Sequence, residues 1–226
     1  MDFNTSIPTA KRLERLQYEN PWWLTGQVQQ AYTEMSKRLY FKLFYPFVKE
    51  TEIKRAVVLM GPRRVGKTVM MFHAIQELLA ENIAPKKIFF IGIDNPIYMQ
   101  LGLEEILLLA KDAVALNNLE DCFVFFDEIQ YLKDWERHLK VLVDFYPKTK
   151  FIVSGSAAAA LRLQSSESGA GRFTDFMLPP LTFHEYIHLK DLGHLMQAKS
   201  IKYDDKEIPF LLLTTIKHLI KSFSIT

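Results

Sequence analysis

Gly61 to Thr68 reads GPRRVGKT, which fits the phosphate-cradling pattern G-x-x-x-x-G-K-[ST] at every fixed position. The chemistry it predicts is that of a nucleoside triphosphate site. Gly61 and Gly66 let the backbone curl so that successive N–H groups point at phosphate oxygens, and the positive end of the following helix adds to the attraction. Lys67 is placed to reach the β- and γ-phosphates of ATP, and the Thr68 hydroxyl to ligate Mg²⁺. Pro62, Arg63, Arg64 and Val65 fill the variable positions, and Val69 completes the binding run.

A second cluster follows about 60 residues downstream, in CFVFFDEIQ, Cys122 to Gln130. An apolar run ending in acids presents Asp127 to the Mg²⁺ shell, with Glu128 beside it to orient or deprotonate a water attacking the γ-phosphate. Two acids at a strand end are often only a solvated cap. Downstream of a phosphate loop they read as the hydrolytic half of the site, and the second acid argues against a small-molecule kinase.

The elements that must position these residues follow from hydrophobic patterning. Ala56–Met60 is an apolar run feeding the loop, and Thr68–Asn82 leaves it as a helix with Met70, Met71, Ala74, Ile75, Leu78 and Leu79 on its buried side. Ile88–Ile93 is a second strand ending at Asp94, Leu103–Asn117 a helix, and Cys122–Phe126 a third strand. A helix around Trp135, Leu139, Leu142 and Val143 comes next, and Phe151–Val153 is a fourth strand ending at Ser154. Continuous apolar strands alternating with helices imply an α/β fold, a parallel sheet covered on both faces. Ligands of such sheets sit at the strands' carboxyl ends, where the loop, Asp94, Asp127, Glu128 and Ser154 all fall.

The 226 residues suffice for one substantial core and a small appendage. A formal charge of +2 is too near neutral to argue for nucleic acid or a membrane surface. MDFNTSIPTAKR lacks the apolar core of a signal peptide and no run approaches bilayer length, so the expected compartment is cytoplasmic. Cys122 is the single cysteine and reads as a small core residue.

Residues 1–54 precede the core, with one long helix expected over Gln27–Lys42. Trp22 and Trp23 either cover the edge of the core or touch adenine. QSSESGAG, Gln164–Gly171, reads as a mobile loop, and the last stretch, Phe210–Phe223, as a helix with Leu212, Leu213, Ile216, Leu219, Ile220 and Phe223 on one side.

GPRRVGKT, DEIQ, the strand FIVSGSAAAALR, the turn GAGRF and the segment LPPLTFHEYI together resemble a widespread prokaryotic family of AAA-type P-loop ATPases, over roughly Arg55 to Tyr186. The resemblance implies a P-loop NTPase three-layer sandwich with helical N- and C-terminal extensions, ATP and Mg²⁺ as ligands, and the roles above for Lys67, Thr68, Asp127 and Glu128. It further implies that Ser154 is the polar sensor of the γ-phosphate and Arg172 a phosphate-sensing arginine, acting within its own chain or across a homo-oligomer. Members usually continue into a C-terminal domain, so an end at Thr226 is expected to be a truncation.

A competing motif is His184-Glu185-Tyr186-Ile187-His188, which fits the H-E-x-x-H zinc signature, with His194 where a third ligand would fall. Asp191 stands where the extended motif needs glycine. The expected organisation is therefore an N-terminal helical extension, 1–54, an ATPase core, 55–180, and a helical segment, 181–226. The expected function is a Mg²⁺-dependent ATPase that drives or gates a conformational change. A nucleotide-gated switch with little hydrolysis shares every motif, and a protein or DNA partner stays open.

Overall fold

The computed structural model describes residues 7–98, 100–156, 171–203 and 206–213. The chain divides into two compact units, Met1–Pro180 and Leu181–Thr226.

The first unit is built on five parallel strands: β1 (Ala56–Met60), β2 (Ile88–Gly92), β3 (Phe123–Asp127), β4 (Lys150–Gly155) and β5 (Phe173–Met177), in the order β2-β3-β4-β1-β5. Every residue of β1 to β4 is buried. Successive side chains on a strand face opposite ways, so this pattern requires cover on both faces. That cover comes from helices α1 (Thr9–Glu19), α2 (Trp22–Thr25), α3 (Gln30–Thr33), α4 (Phe41–Lys49), α5 (Lys67–Ala80), α6 (Leu103–Ala113) and α7 (Trp135–Phe145). Helix α5 packs with α3 and α4, while α6 packs with α1 and α7. Helices α5, α6 and α7 are the crossovers that parallel strands need.

Strand β2 is an edge, and the N-terminal segment seals it. The Asn20 carboxamide accepts from Phe90 N at 2.6 Å and donates to Phe90 O at 2.8 Å, as a neighbouring strand would. Both indoles, Trp22 and Trp23, donate to Ile88 O, at 2.9 and 2.8 Å. An open strand edge invites pairing with other chains, and these side chains take its hydrogen bonds instead. The two tryptophans therefore cover the edge of the core, and the adenine alternative is set aside.

Several expectations need correction. Gln27–Lys42 is not one helix: α3 ends at Thr33 and α4 starts at Phe41. The tertiary surroundings override the periodicity. Tyr32 stacks on Phe72 with ring centroids 4.0 Å apart, its carbonyl meets His73 Nε2 at 3.1 Å, and Arg38 leaves the segment to bond Val65 O at 2.7 Å. Helix α1 and strand β5 add to the elements expected from patterning. In the second unit, α8 (Phe183–Leu189) is helical, but β6 (Met196–Tyr203) and β7 (Lys206–Leu213) form an antiparallel hairpin, so the helical reading of 181–226 fails over both strands, the start of the expected Phe210–Phe223 helix included. A short apolar run suits either state, and pairing with β6 decides it. The rest of that expected helix, and Gln164–Ala170 of the expected loop, lie outside the described residues.

Candidate functional site

The loop between β1 and α5 sits at the carboxyl end of a central strand, as sheets of this type require of a ligand site. Gly66 caps α5 with φ 93° and ψ 26°, a left-handed conformation that glycine adopts without a Cβ penalty. The first N–H groups of α5 have no partner within the helix and carry its positive end. Gly61 is required for a different reason: an added Cβ would lie 2.4 Å from Leu178 O. Leu178 N also donates to Met60 O at 2.7 Å, and Arg38 joins Val65 O to Pro179 O, at 2.7 and 3.2 Å. The loop is thus braced from outside, by groups that spacing alone does not reveal.

Lys67 is buried, and its ammonium donates to the carbonyls of Gly61 and Pro62 at 3.1 and 3.0 Å. Those contacts hold the cation inside the curl of the loop. Arg63 and Arg64 are exposed.

The acidic cluster meets the loop directly. Thr68 Oγ1 donates to Asp127 Oδ2 at 2.7 Å, and the fully buried Ser154 hydroxyl donates to Asp127 Oδ1. Ser154 Oγ also accepts from Glu128 N at 3.0 Å. In the sheet, β4 lies between β3 and β1, and Ser154 stands level with Leu59. The serine therefore bridges the acid pair and the P-loop strand. Its hydroxyl is engaged by Asp127 and Glu128, which makes it a support for the acids.

Burial raises the Asp127 carboxyl above its ordinary range. The Ser154 and Thr68 hydrogen bonds oppose the rise, and the nearby charges of Glu128 and Asp94 add to it. A buried carboxylate beside a threonine hydroxyl is an all-oxygen donor set that a hard divalent cation fits, since its charge offsets the desolvation. Glu128 itself lies in the left-handed region, φ 55° and ψ 46°, an uncommon conformation for a non-glycine residue and one that clusters at functional sites. Gln130 was not singled out by spacing, yet its amide donates to Glu128 Oε2 and accepts from Ser156 N at 3.0 Å.

Arg172 is not brought to this group. It precedes β5 at the amino-terminal end of the sheet, where its carbonyl accepts from Ala56 N and its side chain pairs with Asp144 at 2.7 Å. One five-residue strand separates it from the loop, roughly 16 Å at about 3.3 Å per residue. Within its own chain it cannot reach a γ-phosphate.

The histidine motif lies on α8, with His184 and His188 exposed and Glu185 buried. Glu185 is therefore withdrawn from solvent while the histidines are not, which weighs against the zinc reading, in which it must share a water with their metal. Among the described residues no group of three or more His, Cys, Asp or Glu could hold a metal ion. Cys122 is buried, and burial pushes its thiol up to about 11, which makes it an inert core residue.

The family described as AAA domain matches residues 53–187, more than half of the chain and every element of the site. The chain belongs to that family. As an AAA domain it has a nucleotide-binding function of the P-loop ATPase type. Two uncharacterised proteins of Methanocaldococcus jannaschii are each 26% identical to it, over 73% and 72% of this chain but 35% and 37% of their own lengths. An uncharacterised protein of Haemophilus influenzae is 25% identical over 76% of this chain and 42% of its own. The AAA domain chain thus spans less than half the length of the relatives it matches. Among the described residues no helix is long and apolar enough to cross a membrane.

Proposed function

We propose that this AAA domain binds ATP with Mg²⁺ and hydrolyses it to ADP and phosphate, using the cycle to drive or gate a conformational change. The observation that carries the reading is the hydrogen bond from Thr68 to Asp127, which joins the phosphate loop to the acid pair. Thr68 and Asp127 would hold a Mg²⁺ ion, whose charge would offset the charge developing on the phosphate oxygens.

The protein's own groups do the rest. The amides of Gly66 to Val69 and the Lys67 ammonium hold the triphosphate. Glu128 orients a water and accepts its proton as the water oxygen bonds to the γ-phosphorus. The bond from that phosphorus to the β–γ bridging oxygen breaks, and ADP leaves with its charge on the loop. Ser154 holds Asp127 and Glu128 in register. Arg172 has no place in this set unless a neighbouring copy presents it.

Phosphate release by purified chain, alone and with candidate DNA or protein partners, tests the reading. Release that needs both ATP and Mg²⁺ supports it. Tight ATP binding without release under any condition would leave a nucleotide-gated switch in its place.

A further inference from the structure

Glu128 has a long, half-buried side chain on a left-handed backbone, and a general base has to be held in place against its own rotamer freedom. The backbone is fixed by Ser154, which accepts from Glu128 N at 3.0 Å. The carboxylate is fixed by a different residue. Gln130 Nε2 donates to Glu128 Oε2, while Gln130 Oε1 accepts from Ser156 N at 3.0 Å. A carboxylate can only accept and a backbone N–H can only donate, so the chemistry of the two partners dictates which way this amide points. Of the two anchors, Ser154 lies near the end of β4 and Ser156 directly follows the strand.

We propose that Gln130 is a positioning residue for hydrolysis, clamping the Glu128 carboxylate to the chain leaving β4. The clamp uses Oε2 and leaves Oε1 for the attacking water. It also makes Ser156 a handle on the base: displacing it withdraws the anchor of the Gln130 amide and frees Glu128. Asparagine is one methylene too short to span both partners, and glutamate cannot donate. The inference rests on the hydrolytic reading above.

The test compares Gln130→Ala and Gln130→Glu with wild type in ATP affinity, steady turnover and thermal midpoint. Gln130→Ala lowers kcat by about 10- to 100-fold, the scale of a misplaced catalytic group, with ATP affinity within about twofold and an unchanged midpoint. Gln130→Glu keeps an acceptor for Ser156 N but has no donor for Glu128, and it loses as much. Added to Glu128→Gln, Gln130→Ala gives no further loss of residual turnover, because both act on one carboxylate. Wild-type turnover in either single variant overturns the clamp, as does a parallel fall in affinity and midpoint. A wild-type chain without turnover instead refutes the hydrolytic reading, and the clamp with it.

Discussion

The Thr68 hydroxyl meets the Asp127 carboxylate at 2.7 Å, across 59 residues of sequence. This contact turns two separate motifs into one site, because α5 begins beside the end of β3 only when β4 and β1 lie in the observed order. Removing groups on its two sides has different consequences. Lys67→Ala should abolish tight ATP binding, since the phosphates lose the cation buried in the loop. Glu128→Gln should retain binding and lower turnover by about 10² or more. Calorimetric titration with ATP and a phosphate-release assay on the same preparations separate the two effects.

Asn20→Ala should destabilise the first unit by about 2–4 kcal/mol, since it strips both an N–H and a carbonyl of Phe90 of their buried partner. Urea unfolding should show a lower midpoint with an unchanged slope. A loss under 0.5 kcal/mol would mean that water or the tryptophans take over the edge.

Lys150 is buried at the start of β4, where its ammonium donates to Glu50 O, and burial lowers it from the usual lysine range to about 8. Between about pH 8 and the ordinary lysine value the unfolded chain binds the proton that the folded chain has released, so stability rises with pH across that window. Lys150→Met should flatten this rise relative to wild type. Denaturant melts at pH 7, 8.5 and 9.5 check the difference between the two proteins; parallel curves would refute it.

Arg172→Ala should leave turnover of the isolated chain within about twofold, because an exposed pair with Asp144 far from the loop contributes little. A tenfold fall would instead place the arginine at a neighbour's phosphate. Restored activity on mixing with Glu128→Gln protein would then identify an assembly.

By itself the sequence determined the phosphate loop, the acid pair and the alternation of strands with helices. Each depends on residues a few positions apart, so backbone geometry and hydrophobic periodicity suffice to read it. GPRRVGKT fits a curled loop before a helix, and FVFFD, short and rich in aromatic and β-branched residues, fits a strand with an acid at its end. What lay between those segments depended on tertiary contacts. Ser154 reaches Asp127 because β4 inserts between β3 and β1 in a given register, and Gln130 reaches Ser156 for the same reason. Arg172 belongs to the opposite end of the sheet because β5 runs parallel to β1 with Phe173 beside Ala56. The broken 27–42 segment and the β6–β7 hairpin follow the same rule: apolar spacing there fits more than one state, and the partner surface, which spacing does not encode, selects the one adopted.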